Sequence, residues 1–381
     1  MIYLDAAATT ASRREVLEAM WPYFTAEFGN PSSQHELGEA AASALADARA
    51  RVARWWEVRA SEVIFTSGGT EGDNLAIKGI ALANPRGRHL VTSAIEHEAV
   101  LESVAFLERV HGFEVSVVPV GPDGVVDVDA LESALRPDTT LVTIMLANNE
   151  VGTVQPIARI SALAHEHAIP VHTDAVQAAG TLDVRPHELG VDAMTISGHK
   201  LGTPKGIGAL WVRGRVGLEP LLHGGGQERG HRSGTENVAG AVGLATAVEL
   251  VDLPAAAQLA DRRDTFIAEV LAIVPGAVLT GSRDRRLPGN ASFCFPGTSG
   301  ESILLELGRR GIVCSAGSAC AVGRDEPSHV LIALGIDPAV AQTAVRFSMD
   351  AATSAADLHE AAVRLAEAAG VVQALGSLPH P

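Results

Sequence analysis

Cysteine is scarce in this chain. Its 381 residues hold three, Cys294, Cys314 and Cys320, with no Cys-x-x-Cys pair among them. That excludes a disulfide framework and the usual zinc-site spacing, and makes a reducing, cytoplasmic compartment the expectation. Positive charge is also in deficit. Twenty-nine Lys+Arg against 45 Asp+Glu leave a formal charge of −16, which argues against direct nucleic-acid binding or attraction to an anionic membrane. Long apolar stretches are missing as well. The longest, Val238 to Val248, is closed by Glu249 and is too short to span a bilayer. The first residues, Met1-Ile2-Tyr3-Leu4-Asp5, lack the basic flank and apolar run expected of a signal peptide. The glycine strings of dinucleotide-binding and P-loop cradles do not occur after any strand.

What is there reads as a globular protein: 47% of residues are hydrophobic and 19% charged. At roughly 100–200 residues per domain, the length suggests two or three structural units. Short β-rich runs alternate with helical spacing through the first two thirds. Val63-Ile64-Phe65-Thr66, His89 to Thr92, Val115 to Val120, Leu141 to Leu146, Val171 to Thr173, Ala193 to Ile196 and Gly208 to Val212 read as strands. Helical patterns fill most gaps, among them Ala99 to Val110 and Asp127 to Leu135, the latter led by a capping aspartate. This alternation predicts an α/β fold whose mostly parallel sheet is covered by helices on both faces. After Thr235 the rhythm changes. Glu236 to Val251 reads as a long helix, Pro254 as an interruption, and Ala255 to Ile273 as a further helix. A smaller α+β domain is expected from about residue 256, with the first dozen residues folding back onto it.

In open α/β sheets ligands bind beyond the carboxyl ends of the strands, so those ends are where chemistry is sought. Thr66-Ser67-Gly68-Gly69-Thr70 closes one strand and opens a helix, offering free N–H groups to an anion; a plain N-cap by Thr70 reads equally well. Glu96-His97-Glu98, Asn148-Asn149-Glu150, His172-Thr173-Asp174 and Ser197-Gly198-His199-Lys200 follow other strands. A buried Asp174 needs a cationic partner, and a desolvated Lys200 is primed for carbonyl chemistry. A lysine, a buried acid and an anion loop at successive strand ends are what pyridoxal phosphate requires. The His165-Glu166-His167 triplet has a spacing at which imidazoles do not face each other, so it reads as a solvated helix face. Cys294 and Cys314 read as small buried hydrophobes. Cys320, amid the small residues Ser315 to Gly323, reads as a reactive thiol on a loop. Arg346 in an apolar segment needs an anion, either a substrate carboxylate or a structural Asp or Glu.

With these pieces assembled, the chain resembles the cysteine desulfurases of the NifS/IscS kind. The strings that carry the resemblance are Leu4-Asp5…Ala8-Thr9-Thr10, Phe28-Gly29-Asn30-Pro31-Ser32-Ser33, Thr66 to Glu71, Ser197-Gly198-His199-Lys200, His223 to Glu228, Arg232-Ser233-Gly234-Thr235 and Gly317-Ser318-Ala319-Cys320. They run in family order over nearly the whole chain, and the long small-residue loop is similar to group I. The resemblance implies the aspartate-aminotransferase-like fold type I of pyridoxal-phosphate enzymes: a large domain, residues 13–255, with a mostly parallel seven-stranded sheet, and a small α+β domain formed by 1–12 and 256–381. It implies a homodimer, pyridoxal 5'-phosphate on Lys200, His97 over its ring, Asp174 at its nitrogen, and Gln177 and Asn149 near its hydroxyl. Gly69, Thr70, Ser197 and His199 would hold the phosphate, with Thr235 arriving from the partner subunit. Arg346, Asn149 and Asn30 would bind L-cysteine, and Cys320, Lys200 and His97 would do the chemistry, leaving alanine and a Cys320 persulfide for an acceptor protein. That acceptor could serve iron–sulfur assembly, tRNA thiolation, DNA phosphorothioation or another thio-biosynthesis. Ala6, Leu201-Gly202-Thr203-Pro204 and Asp350 depart from the family pattern. An aminotransferase or selenocysteine lyase is the alternative within the same cofactor class, and an inactive scaffold the alternative outside it.

Overall fold

The computed structural model describes residues 1–83, 86–316 and 326–376. Seven strands form the main sheet in the order Val63–Thr66, Gly208–Val212, Ala193–Ser197, Val171–Asp174, Thr139–Thr143, His89–Ser93, Glu114–Val118. Gly208–Val212 runs antiparallel to both its neighbours, and every other pairing is parallel. Six of these strands are buried along their whole length, while the edge strand Glu114–Val118 is half exposed. This is why six of them read as continuous apolar runs rather than alternating ones. One face is covered by a core that includes Trp56, Trp211, Ile160 and Leu244. The other packs Leu75, Ile80, Val104 and Leu107 from the helices Gly69–Ala83 and Glu98–His111.

A second core gathers Leu4, Phe266, Phe293, Phe295, Phe347 and Leu365. Its sheet pairs Asn290–Cys294 antiparallel with both Val345–Ser348 and Val278–Leu279. The helices Leu253–Ile273, Gly300–Arg309 and Ala355–Gly376 pack against it. Phe266 meets Phe347 edge to face at 5.4 Å between ring centroids, the arrangement the ring quadrupoles favour. Ile2–Tyr3 pairs in parallel with Ile312–Val313, so the first residues return to this C-terminal region.

Several boundaries differ from the sequence reading for identifiable reasons. Pro254 does not interrupt a helix; it sits in the first turn of Leu253–Ile273, where its missing N–H costs nothing, and Asp252 caps that turn by accepting the Ala255 N–H at 3.0 Å. The expected strand Leu141 to Leu146 lies two residues earlier, at Thr139–Thr143. Beyond it the Met145 N–H goes instead to the Glu96 carboxylate at 3.0 Å. Asp127 caps its helix as expected, accepting from Asp129 and Ala130. His165 is not on an idle solvated face: its Nε2 lies 2.7 Å from the buried Asp192. Among the described residues, no single helix is long and apolar enough to cross a membrane.

Candidate active site

The carboxyl ends of the central strands converge on one region. Asp174 is the last residue of Val171–Asp174, and its Oδ1 accepts the Val176 N–H at 2.8 Å. Burial pushes its carboxyl above the ordinary range, while nearby His97, the Val176 N–H and Lys200 pull it back down. His97 caps the helix Glu98–His111: its Nδ1 accepts the Ala99 N–H at 3.1 Å. That bond puts the proton of the neutral ring on Nε2. Lys200 ends the short turn Gly198–Lys200 that follows Ala193–Ser197. Its Nζ donates to the carbonyls of Ala7 and Ala8, the latter at 2.8 Å, and Gln177 Nε2 donates to the same Ala7 carbonyl at 3.1 Å. The N-terminal segment therefore lies directly against Lys200 and Gln177. Beside His199, Thr10 gives both its N–H (3.1 Å) and its hydroxyl (2.8 Å) to the His199 carbonyl. The His199 ring is driven down to about 4, first by burial and then by Lys200 and Lys205.

The glycine turn has the form of a cradle. The helix starts at Gly69, so Thr70 stands in its first turn rather than capping it. Glu71 takes the cap's place: its Oε2 accepts the Ser67 N–H at 2.9 Å, and Arg232 Nε donates to its Oε1 at 2.9 Å. A Cβ on Gly69 would lie 2.8 Å from Val176 Cγ2 and 3.6 Å from Ser197 Cβ. Glycine is what lets the helix N-terminus approach the side chains of Val176, two residues from Asp174, and Ser197, at the end of the neighbouring strand.

Arg346 is buried in the strand Val345–Ser348, and the structural acid foreseen as one of its two candidate partners is present. Nη2 donates to Asp5 Oδ1 at 2.9 Å and Nη1 to the Asn149 carbonyl at 3.0 Å, while the buried Nε has no partner. Asn149 thus meets Arg346 through its backbone. The adjacent Asn148 shapes the turn, its Oδ1 accepting the N–H groups of Glu150 and Val151 at 2.9 Å each. Two expected residues are not brought in. Asn30 is exposed, with its Oδ1 accepting the Ser32 N–H at 2.9 Å, and Thr235 is exposed on this chain. Cys320 lies outside the described residues. Cys294 is buried as expected, whereas Cys314 is only half-buried against the second core; desolvation pushes the two thiols up to about 11 and about 12.

Sequence reasoning missed the polar layer beneath the site. His172 bridges Thr143 Oγ1 (2.9 Å) and Thr195 Oγ1 (3.0 Å), and burial holds it down to about 3, as a neutral ring. Asp73, buried in the helix Gly69–Ala83, has its Oδ1 3.7 Å from His172 Nε2 with no hydrogen-bond partner. Glu96 accepts from the Ser93 hydroxyl at 2.6 Å and from Met145, and burial pushes it up to about 8. A clue was available: acids inside otherwise apolar strand ends must be neutral or paired. Asp5 was visible only as part of a string, because its partner lies 341 residues away.

Comparison with known proteins then decides the family. The "Aminotransferase class-V" family matches residues 2–360. The cysteine desulfurase IscS of Dictyoglomus turgidum is 47% identical over 362 residues, covering 94% of this chain and 92% of that protein. This chain is a cysteine desulfurase of the class-V aminotransferase family. Among solved structures, a NifS-like protein aligns with a TM-score of 0.90 at 37% identity, covering 96% of this chain and 98% of its own. SspA in complex with cysteine aligns with a TM-score of 0.83 at 39% identity, covering 92% and 99%. The desulfurases of this family work with pyridoxal phosphate, and the residues present fit that group. Asp174 is a buried acid raised by burial, which a pyridinium N–H would hold charged. Gly69 leaves the space at a helix N-terminus that a phosphate needs, and Lys200 lies against the N-terminal segment near enough to Asp174 to lower its pKa.

Proposed function

We propose that this chain takes the sulfur of L-cysteine, releases L-alanine, and carries the sulfur as a persulfide on Cys320 to an acceptor protein. The observation that carries the reading is the convergence of Lys200, Asp174, His97 and Gln177, with Arg346 joined to them through residues 5–8. Lys200 would hold the aldehyde carbon of the coenzyme, Asp174 its pyridine nitrogen and Gln177 its ring hydroxyl, with Asn149 beside it. Gly69, Thr70, Ser197 and His199 would hold the phosphate, together with Thr235 of the partner subunit. When bound, pyridoxal phosphate withdraws electrons from the substrate's α-carbon.

The chain's own groups do the rest. Arg346 takes the substrate carboxylate as a charge-assisted pair, with Asn149 and Asn30 on the approach. Lys200 Nζ would accept the α-proton, and His97 would move a proton at Nε2, the nitrogen left free by the Ala99 bond. The Cys320 thiolate attacks the substrate sulfur. An S–S bond forms, the C–S bond breaks, and its electron pair stays with carbon, which gains a proton and departs as alanine. Sulfur loses the two electrons that carbon gains, so no outside oxidant is needed. A thiol that must visit the site and then deliver its sulfur belongs on a loop.

The same reading makes the chain a cytoplasmic homodimer. Trp21, Phe24 and Phe28, 66%, 61% and 65% exposed, are large apolar side chains within one short segment that a second copy would cover. It also divides the chain near residue 255 into a coenzyme domain and a small domain. The test is product analysis of purified holoenzyme. Lys200→Ala should abolish both alanine and sulfide, and Cys320→Ala should keep the coenzyme's visible band while losing sulfide release. Unchanged sulfide from Cys320→Ala would overturn the assignment, as would sedimentation as a monomer for the dimer.

A further inference from the structure

Arg346 and Lys200 are tied to one short stretch of chain. Residues 4–8 are pinned along Val345–Ser348 by Ser348 N–H to the Leu4 carbonyl (2.8 Å), Ala6 N–H to the Ser348 carbonyl (3.0 Å) and Ala7 N–H to Ser348 Oγ (2.8 Å). At one end Asp5 takes the guanidinium of Arg346, and two residues on, Ala7 and Ala8 receive Lys200 Nζ. Asp5 covers only one edge of that guanidinium. The Nη2 N–H is engaged with Asp5 Oδ1, Nη1 is engaged with Asn149, and the Nε N–H is buried with no partner. Arg346 is 2% exposed. A buried, unpaired N–H is costly to leave, and a guanidinium offers its Nε–Nη2 edge to a carboxylate as a planar fork. Asp5 and the Asn149 carbonyl together fix the plane of the guanidinium, Asp5 taking Nη2 of that edge and leaving its Nε N–H without a partner for a second carboxylate.

We propose that Asp5 is a specificity-determining residue: it aims Arg346 at the ligand's carboxylate and, by its own negative charge beside that slot, keeps carboxylate ligands loosely bound. The proposal rests on Arg346 being the carboxylate anchor. Its consequence is a substrate that enters and a product that leaves readily, since the two share the same α-carboxylate. Removing the Asp5 charge while keeping an acceptor oxygen, as in Asp5→Asn, leaves Arg346 positioned but uncontested.

The experiment uses holoenzyme and three probes, L-cysteine, its decarboxylated analogue cysteamine, and propionate, with KM and kcat measured for L-cysteine and cysteamine. Equilibrium binding of propionate is read from the coenzyme's visible band. Asp5→Asn should tighten propionate and lower KM for L-cysteine by roughly tenfold, the effect of one unit charge near the slot at intermediate dielectric, and leave cysteamine unchanged. Asp5→Glu, which restores the charge, should return both values toward wild type. Equal effects on L-cysteine and cysteamine, or weaker propionate binding in Asp5→Asn, would overturn the proposal. Arg346→Gln separates the two readings. If it leaves the preference for L-cysteine over cysteamine intact, the anchor itself is misassigned; if it abolishes the preference while Asp5→Asn changes nothing, only the role of Asp5 fails. Should Asp5→Asn not fold, Asp5→Ser is tested against the same three outcomes.

Discussion

Replacing Asp174 by Asn should have opposite effects on the chain with and without its coenzyme. In the coenzyme-free chain Asp174 is a buried carboxyl whose proton affinity is raised chiefly by burial. A carboxyl raised in the folded state contributes stability that is fully present below its unfolded pKa and is lost as pH rises through the folded one. At neutral pH or above, Asp174 is thus a burden that Asn lacks, and Asn can still accept the Val176 N–H now 2.8 Å from Oδ1. Calorimetry of the coenzyme-free protein at pH 7.5 (about 3.6 units above the ordinary aspartate pKa) should show Asp174→Asn melting at or above wild type. With coenzyme the sign reverses. A charge-assisted hydrogen bond is worth about 1.5–3 kcal/mol, so coenzyme affinity should fall roughly 10- to 150-fold at 1.36 kcal/mol per decade. Titration of the visible band measures it. A variant that melts lower without coenzyme and binds it with unchanged affinity would refute the placement of the pyridine nitrogen against Asp174.

Three further outcomes follow from the same geometry. Glu96 and Glu150 are buried carboxyls pushed up to about 8 and about 7, so the coenzyme-free chain should lose stability as pH rises from 5 to 8 on the order of the window set by ordinary and raised carboxyls; Glu96→Gln should flatten that loss in urea titrations. Arg49 grips the buried Glu228 through two bonds of 2.5 and 2.8 Å, and Glu228 also accepts the Phe65 N–H at 3.1 Å. Glu228→Ala takes the carboxylate from a largely buried guanidinium that among the described residues keeps only the Val63 carbonyl at 2.8 Å and should cost about 3 kcal/mol, a fall of ~4 °C in Tm for a chain of this size; a shift within 1 °C, which is about the size of a neutral surface change, would contradict it. Gly69→Ala places a Cβ 2.8 Å from Val176 Cγ2, so Val176 must shift; it should weaken coenzyme binding and lower the coenzyme-free Tm through the roughly 1–3 kcal/mol cost of an overpacked site, and an unchanged affinity would contradict the phosphate placement.

The parts of the fold that were legible in the sequence are those where one local rule decides. The central strands are buried on both sides, so their apolar runs announce them, and Asp127 names its own helix start. Pro254 misled because the same residue breaks a helix interior and begins a first turn; only the capping bond of Asp252 tells the two apart. In the site, Lys200, Asp174 and His97 were visible because each follows a strand. The partner of Arg346 was not, because a pair separated by 341 residues leaves no periodic trace. His165 was read as idle for a similar reason, since its acid, Asp192, belongs to a different turn. The layer of Asp73, Glu96 and His172 under the site stayed hidden because burial, not spacing, makes those groups unusual.

The central claim is that sulfur leaves the substrate onto one thiol among three. Holoenzyme is mixed with L-cysteine, free thiols and persulfides are trapped by alkylation, and peptides bearing each cysteine are weighed. Cys294 is buried and Cys314 half-buried, with thiols pushed by desolvation up to about 11 and about 12, and both should carry none. The account predicts one added sulfur atom on the Cys320 peptide, formed only while Lys200 is intact. Sulfur on Cys294 or Cys314 with Cys320 unmodified, or a modified Cys320 in the Lys200→Ala protein, would contradict it.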